Sequence, residues 1–233
     1  IFKMEKNTRS QNIQLIFNKI AKKYDLMNYI MSLGNHKKWE QEIVKSIKLN
    51  SNKTDKILDI ACGTGSLTQE IIKNSSNDQV IGLDFSDAML KIAKNTVSNL
   101  ILGDSHYLPF KKNYFDHITI AYGIRNFENI TQSLQEVNYV LNNKGTLNII
   151  EIIKPYNNIK SFIFKLGFFI FAPLFGLIFS NNFSAYLYLP KSSNSFLTEN
   201  KINSLLQKNG FNKITIKKKA FGSVILLNAL KSN

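Results

Sequence analysis

The sequence predicts an open α/β fold in which helices cover both faces of a mostly parallel sheet. Apolar segments with the pattern of strands alternate with helical segments of about ten residues from residue 56 to residue 152. A glycine-rich turn, ACGTGS, directly follows the first of these strands. Two strand-like segments near the C-terminus lie close enough in sequence to pair as an antiparallel hairpin.

Each element is predicted from the spacing of its apolar residues. The strands are expected at residues 56–60, 79–83, 98–102, 116–121, 146–152, 213–218 and 223–229. The intervening helices are expected at residues 67–73, 87–95 and 131–141. A seven-stranded, Rossmann-like sheet that ends in a hairpin is typical of class I methyltransferases and atypical of dehydrogenases. Ligands of such sheets bind at the carboxyl ends of the parallel strands.

Two segments lie outside the predicted sheet. Residues 11–50 are largely helical by pattern, and residues 155–200 interrupt the path from the fifth strand to the hairpin. We expect both to cover a substrate within one domain, residues 1–233. The apolar segment 161–180 has too short an uncharged run, Leu166 to Phe179, to span a bilayer, which needs roughly 20 residues. It suits an interfacial element, a substrate tunnel or a buried core helix.

Composition limits the functional classes. The 233 residues carry a formal net charge of +14, but the lysines are scattered, which indicates biased composition or a membrane-surface role rather than a nucleic-acid site. The single cysteine, Cys62, can form no internal disulfide and indicates a reducing compartment without a structural metal. The first ten residues lack the apolar core of a signal peptide, so we expect a cytoplasmic protein.

The glycine turn is the first candidate ligand site. Gly63 and Gly65 would let the backbone approach the amino-acid part of S-adenosylmethionine, whose carboxylate suits the amides at the start of a helix. Thr68 stands where the third glycine of a dinucleotide fingerprint would be, so a pyrophosphate is not specifically supported. A tight packing turn is the alternative interpretation.

Two acidic residues follow the next two predicted strands. Asp84 lies about 20 residues beyond the glycine turn, where a carboxylate can accept hydrogen bonds from both ribose hydroxyls of an adenosine. The alternative is a helix cap. Asp104 could orient the adenine amino group, with Leu108, Pro109 and Phe110 supplying apolar surface, or could form an Asx turn.

The segment after the fourth strand, YGIRNF, is the candidate catalytic region. Arg125, beside Gly123 and Asn126, could stabilise negative charge developing on a substrate oxygen, although most arginines face solvent. His36 has no partner at the spacing of metal ligands, and we interpret it as a lid or packing residue.

Three segments resemble the ubiquinone/menaquinone biosynthesis C-methyltransferases. They are AKKYDLMN with MSLG (residues 21–28 and 31–34), DHITIAYGIRN (116–126) and AYLYLPKS (185–192). The resemblance extends from about Ile16 to Lys231. The segment with Pro173, Gly176 and AYLYLPKS looks more like members that act on demethylmenaquinol than like those that act on ubiquinone precursors.

The resemblance implies S-adenosylmethionine as the cofactor and a prenylated quinol as the substrate. It implies that Thr64, Asp84, Asp104 and Ser105 contact the cofactor, that Tyr24 closes over it, and that Arg125 with Asn126 activates the quinol. The sequence departs from the family pattern at Ser66, where many members have Asp.

Partners follow from the same resemblance. Because the substrate is prenylated, we expect the protein to contact the inner face of a membrane. No nucleic-acid partner is expected, and the resemblance leaves self-association open. The alternatives are the corresponding ubiquinone step and a non-catalytic cofactor-binding subunit of a quinone-synthesis assembly. A nucleic-acid methyltransferase is disfavoured because neither an Asn-Pro-Pro-Tyr type motif nor a cysteine nucleophile is found.

Overall fold

The computed structural model describes residues 9–47, 54–75, 79–154, 188 and 191–232. They contain a seven-stranded sheet in the order β3-β2-β1-β4-β5-β7-β6. The strands are β1 (Ile57–Ile60), β2 (Val80–Asp84), β3 (Leu100–Leu102), β4 (Phe115–Ala121), β5 (Leu141–Ile152), β6 (Phe211–Lys219) and β7 (Val224–Lys231). Strands β1 to β5 are parallel, and β7 pairs antiparallel with both β5 and β6. The predicted fold class, with its C-terminal hairpin, is confirmed.

The helices lie between the strands and before the first one. They are α1 (Arg9–Ile20), α2 (Tyr24–Ser32), α3 (Asn35–Ser46), α4 (Ser66–Asn74), α5 (Asp87–Ala93), α6 (Ile130–Val140) and α7 (Glu199–Lys208). Helices α1 to α3 account for the predicted helical segment 11–50 as far as residue 47. Most of the predicted subregion 155–200, with the apolar segment 161–180, lies outside the described residues.

The order of the strands determines where the ligand-binding crevice lies in the sheet. The chain runs outward from β1 through β2 to β3 and then returns to β4 on the other side of β1. This switch point opens a crevice at the carboxyl ends of β1 and β4, where the connections diverge to opposite faces of the sheet. The loops that begin at Ala61 and Tyr122 therefore face each other across that crevice.

Strand β5 is longer than the sequence predicts. It begins at Leu141, directly after α6, and Leu141 pairs with Phe115 before the register shifts. The prediction started this strand at Thr146, because residues 142–145 show no apolar alternation. The structure extends it through the pairing of Leu141 with Phe115, beside which the Asn142 side chain donates a hydrogen bond to the Asp116 carboxylate, 3.0 Å away.

Helix α1 is fixed over the carboxyl end of β2. Ile13, Phe17 and Met89 belong to one buried apolar cluster that joins α1 to α5. At the polar edge of this contact Ser86 donates a hydrogen bond to Asn18, 2.6 Å away. The N-terminal helices thus form one wall of the crevice.

Within the described ranges no helix has the length and apolar character needed to cross a membrane.

Candidate active site

The glycine turn between β1 and α4 contains two glycines with different roles. Gly63 has φ +57°, and a Cβ there would meet only the Tyr24 ring, 3.9 Å away, so its backbone borders open space. Gly65 has φ +84°, and a Cβ there would lie 3.0 Å from Val97. Close packing against the segment after α5 therefore explains Gly65, whereas Gly63 is available to a ligand.

Asp84 is bound to this turn from the carboxyl end of β2. Its carboxylate accepts hydrogen bonds from the backbone N–H groups of Gly63 at 2.9 Å and Ser86 at 2.8 Å. Burial raises the pKa of Asp84 to about 6, despite these hydrogen bonds. Each carboxylate oxygen can accept a second hydrogen bond, so the group still has acceptor capacity for a pair of hydroxyls. The helix N-cap belongs instead to Ser86.

A cleft, here called the glycine-turn cleft, opens between these groups and encloses about 630 Å³, partly open to solvent. Its walls are mainly apolar, with two carboxylates from the ends of β2 and β3. Residues lining it include Phe17, Tyr24, Gly63, Leu83, Asp84, Phe85, Met89, Asp104, Ser105, Tyr122, Asn126 and Phe127. Its mainly apolar lining with a few polar groups is typical of a small-molecule site.

Asp104 and Ser105 line the glycine-turn cleft but also have protein partners. Asp104 accepts hydrogen bonds from the backbone and the ring Nδ1 of His106, which is the predicted Asx turn. The His106 Nε2 accepts the Asn129 N–H, so the ring is neutral with its proton on Nδ1. The Ser105 hydroxyl lies 3.0 Å from that of Ser133, so it also has a hydrogen-bond partner within the protein.

A second and larger cleft, the Trp39 cleft, lies on the other side of Tyr24 and Tyr122, both of which line the two clefts. It encloses about 1260 Å³, partly open to solvent. It is bounded by α2, α3, the loop after β4 and the turn between β6 and β7. The lining residues are Tyr24, Asn28, Met31, Ser32, Leu33, Asn35, His36, Trp39, Tyr122, Arg125, Ile152, Lys219, Ala220, Phe221 and Val224.

Arg125 lies buried at the Trp39 cleft and is paired with Glu151. Its Nη1 donates hydrogen bonds to the Glu151 carboxylate and to the Tyr122 carbonyl, while its Nε has no partner among the described residues. Burial would lower the pKa of Arg125, but the Glu151 carboxylate raises it, and the net direction is upward. The guanidinium therefore stays protonated and fixed in place, not exposed to solvent.

Asn126 belongs to the other side of the same loop and lines the glycine-turn cleft. Its side-chain oxygen accepts a hydrogen bond from the Tyr188 hydroxyl, 2.8 Å away. Tyr188 belongs to the AYLYLPKS motif, so this bond ties that motif to the loop after β4. The structure thus separates Arg125 and Asn126 between the two clefts.

A small polar cleft beneath the glycine turn holds Thr64. The Thr64 hydroxyl donates to Asp25, 2.6 Å away, and the Ser66 hydroxyl donates to Glu40 at 2.7 Å. Asp59 also lines this cleft, and burial raises its pKa to about 7. Carboxylates from three elements therefore surround the start of α4, which suits a ligand that carries an amino group.

The sequence prediction missed Glu151 and Asp25. Glu151 had a signal, because it is the single charged residue in the apolar strand segment TLNIIEI. Asp25 lies in the segment AKKYDLMN, but its contact with Thr64 spans 39 residues and depends on how α2 packs. Of the predicted residues, Gly65 lines none of the three clefts.

Comparisons with known proteins identify the family. The model of the ubiE/COQ5 methyltransferase family matches residues 4–231. A demethylmenaquinone methyltransferase of Thermotoga maritima is 39% identical over 201 residues, which cover 84% of this chain and 86% of the relative. The chain belongs to the ubiE/COQ5 methyltransferase family. The ubiquinone/menaquinone biosynthesis C-methyltransferase UbiE of Wigglesworthia glossinidia brevipalpis is 35% identical, covering 89% of this chain and 86% of that protein.

Solved structures agree on the fold of this ubiE/COQ5 family member. A methyltransferase of Thermotoga maritima that depends on S-adenosylmethionine has a TM-score of 0.66 at 15% identity, covering 94% of this chain and 99% of that one. The [4+2]-cyclase SpnF has a TM-score of 0.67 at 13% identity, covering 97% and 96%. At such identities the likeness establishes the class I fold alone, and family membership makes the protein an S-adenosylmethionine-dependent methyltransferase.

The glycine-turn cleft has the groups that S-adenosylmethionine needs in a ubiE/COQ5 methyltransferase. Asp84 offers acceptors for ribose hydroxyls, Phe85 and Met89 offer apolar surface, and Gly63 leaves the space that a Cβ would occupy. The acidic groups around Thr64 suit the amino group of the methionine part. The residues present therefore fit the cofactor.

Proposed function

We propose that the protein methylates a ring carbon of a prenylated quinol, converting demethylmenaquinol to menaquinol in menaquinone biosynthesis. The observation that carries the proposal is the Trp39 cleft, which adjoins the glycine-turn cleft across Tyr24 and Tyr122. The names of the Thermotoga relative and of a 34% identical relative from Lactiplantibacillus plantarum, both demethylmenaquinone methyltransferases, support the naphthoquinol.

The Trp39 cleft suits an aromatic ring with an apolar chain. Met31, Trp39, Ile152 and Val224 supply its apolar walls, and Arg125 supplies a fixed cation. When bound, S-adenosylmethionine supplies an electrophilic methyl group. Arg125 would stabilise negative charge on a quinol oxygen, because a guanidinium held by Glu151 cannot readily lose its own proton.

Methyl transfer to two quinols tests the proposal. The protein, in detergent under anaerobic conditions, would receive labelled S-adenosylmethionine with demethylmenaquinol or with the demethylated ubiquinol precursor. We expect product from the naphthoquinol. Product from the benzoquinol alone would move the function to the ubiquinone step, which the name of the Wigglesworthia relative includes beside the menaquinone step. No product despite cofactor binding would contradict catalysis and favour the accessory-subunit alternative.

The Arg125→Ala variant tests the proposed catalytic role in the same assay. We expect turnover to fall about 100-fold, since loss of one group that stabilises developing charge has effects of that size. Cofactor affinity should change little, because Arg125 lines only the Trp39 cleft. Lys73→Ala, at an exposed position near the end of α4, is the matched control. Equal losses of turnover and cofactor affinity would contradict this role.

We extend the proposal to peripheral contact of a cytoplasmic enzyme with the inner face of the membrane. Leu33 is 86% exposed and Phe221 is 63% exposed, and both line the Trp39 cleft at its mouth. Apolar side chains there would let a prenyl chain pass from lipid into the cleft. Leu33→Ser with Phe221→Ser should reduce cosedimentation with lipid vesicles but not turnover of a short-chain quinol in detergent. Unchanged cosedimentation would contradict this surface.

A further inference from the structure

We propose that His36 is the general base that removes the proton from the quinol hydroxyl, an inference that rests on the proposed function. His36 lines the Trp39 cleft together with Arg125, at the start of α3. From the sequence, which shows no partner at the spacing of metal ligands, we interpreted His36 as a lid or packing residue. The structure supplies both a partner and a position at the cleft.

The hydrogen bonds around Ser32 define which nitrogen of His36 carries the proton. The Ser32 hydroxyl donates its single hydrogen to the Asn28 carbonyl, 2.7 Å away. A hydroxyl that donates to this carbonyl is an acceptor toward the His36 Nδ1, which also lies 2.7 Å away. In this arrangement, which we assign to the protein, the proton is on Nδ1 and the lone pair is on Nε2, which makes no hydrogen bond with the described residues. An imidazole in this tautomer can accept a proton from a substrate.

The turn between α2 and α3 holds this histidine rigidly. Leu33 and Gly34 both have left-handed backbones, with φ +51° and +75°. A Cβ at Gly34 would lie 3.1 Å from the Tyr29 ring, which in turn packs edge-on against the His36 ring. The Asn35 side chain closes the turn by donating to the Ser32 carbonyl at 3.0 Å. The ring orientation is thus set by the chain and not by a ligand.

Electrostatics keep His36 neutral. Burial lowers its pKa, the Lys37 ammonium lowers it further, and the Asp25 carboxylate opposes both without reversing the direction. Across the cleft, Arg125 is neutralised by Glu151, and Lys219 pairs with Glu42 at 2.7 Å. At neutral pH the imidazole is therefore unprotonated and ready to accept a proton.

The other titratable side chains of the cleft are poor bases. Burial raises the pKa of both Tyr24 and Tyr122, so each keeps its proton. Arg125 stays protonated, and Lys219 is engaged in an ion pair with Glu42. Among the described lining residues, His36 is left as the group with an available lone pair.

With His36 as the base, each proton that moves in the reaction has a donor and an acceptor. The quinol O–H bond breaks and its proton binds Nε2, while the electron pair left on oxygen raises the electron density of the adjacent ring carbon. That carbon forms the bond to the donated methyl group, and the donor sulfur keeps the electrons of the broken bond. The hydrogen on the methylated carbon then leaves to solvent as a proton. The imidazolium returns its proton to the oxygen, so one proton is released overall.

His36→Gln separates catalysis from binding, because Trp39 is the single tryptophan and lies in the same cleft. Quenching of its fluorescence by short-chain demethylmenaquinone measures ring binding without turnover. We expect the variant to lower kcat about 100-fold or more, the usual contribution of a general base, while the quinone Kd changes less than about threefold. His117→Gln, on β4 and in neither cleft, is the matched control.

The pH dependence of kcat at saturating cofactor gives a second readout. In the wild type kcat should fall as the pH drops through the lowered pKa of His36, and His36→Gln should lose this limb. Addition of imidazole to His36→Ala should restore turnover. If the His36 variants fail to fold, the wild-type profile decides, and a kcat that stays constant down to the lowest pH at which the protein remains folded would overturn the proposal.

Two results for the His36→Gln variant would contradict the proposal. A His36→Gln variant with wild-type kcat, or one that loses quinone binding and kcat to the same extent, would overturn the base assignment and leave His36 a packing residue. Failure of the proposed function would look different, because the wild-type protein would then methylate the benzoquinol alone or neither quinol.

Discussion

The two clefts of this methyltransferase differ in what builds them. The glycine-turn cleft is formed mainly by loops at the carboxyl ends of β1 to β4, the part of the fold where class I sheets bind ligands, and the N-terminal helices add one wall. The Trp39 cleft is formed by α2, α3, the loop after β4 and the β6–β7 turn. The first depends on short sequence motifs beside strands, and the second depends on packing between segments far apart in the chain. Cofactor and substrate recognition can therefore be changed separately.

The largest expected effect concerns the ion pair under the Trp39 cleft. Glu151→Ala would leave the buried Arg125 guanidinium unpaired, and breaking one side of a buried pair costs about 3–5 kcal/mol. Urea denaturation should show a loss of this size in the free energy of unfolding. Glu70→Ala on α4 is the control. A loss below about 1 kcal/mol would mean that Arg125 finds another partner and that the pair does not support the cleft.

Asp84→Asn should weaken ligand binding in the glycine-turn cleft and leave ligand binding in the Trp39 cleft unchanged. A hydrogen bond to a charged group contributes roughly 1.5–3 kcal/mol, so S-adenosylhomocysteine should bind about 10- to 100-fold more weakly. Calorimetry measures this affinity, and quenching of Trp39 measures quinone binding in the same preparation. Quinone binding should not change. Parallel losses of both affinities would contradict the separation of the two clefts.

A smaller effect is expected from Asp59, the buried carboxyl below the glycine turn. Burial raises its pKa to about 7 even though Thr68 and Thr119 donate hydrogen bonds to it. The folded state therefore holds the proton more tightly than the unfolded chain, and the free energy of unfolding should decrease as the pH rises from about 4 to about 7. Asp84 acts in the same direction, because burial raises its pKa to about 6.

Asp59→Asn tests this pH dependence. The variant should lose part of the slope and become more stable than the wild type at about pH 8, by an amount on the order of 2 kcal/mol. Denaturation curves collected between about pH 4 and about pH 8 check both statements. A slope equal to that of the wild type would show that Asp59 is already ionised in the folded protein throughout this range.

Local patterns were sufficient to predict most of the fold. Strand alternation and helical period depend on nearest neighbours, so each of the seven strands was placed within a few residues of its observed position, with one exception. The start of β5 at Leu141 depends on its pairing with Phe115, and no local pattern indicates it. The C-terminal hairpin was recognisable because Gly222 lies between two apolar runs.

The site was predicted less completely, for a physical reason. The location of Asp84 and Gly63 at the glycine-turn cleft could be predicted, because each lies at or just after the carboxyl end of a strand, where parallel sheets bind ligands. The pairing of Arg125 with Glu151 could not be predicted, because it joins a loop to a neighbouring strand 26 residues away in the chain. The tautomer of His36 was equally out of reach, since it depends on the hydrogen bond that Ser32 makes within α2.

A crystal structure of the protein with S-adenosylhomocysteine and a short-chain demethylmenaquinone would test the central claim most directly. We predict that both molecules bind together. S-adenosylhomocysteine should lie against Asp84 and Gly63, and the quinone ring should lie in the Trp39 cleft beside Arg125 and His36. A quinone bound in the glycine-turn cleft, or two ligands that exclude each other, would contradict the account.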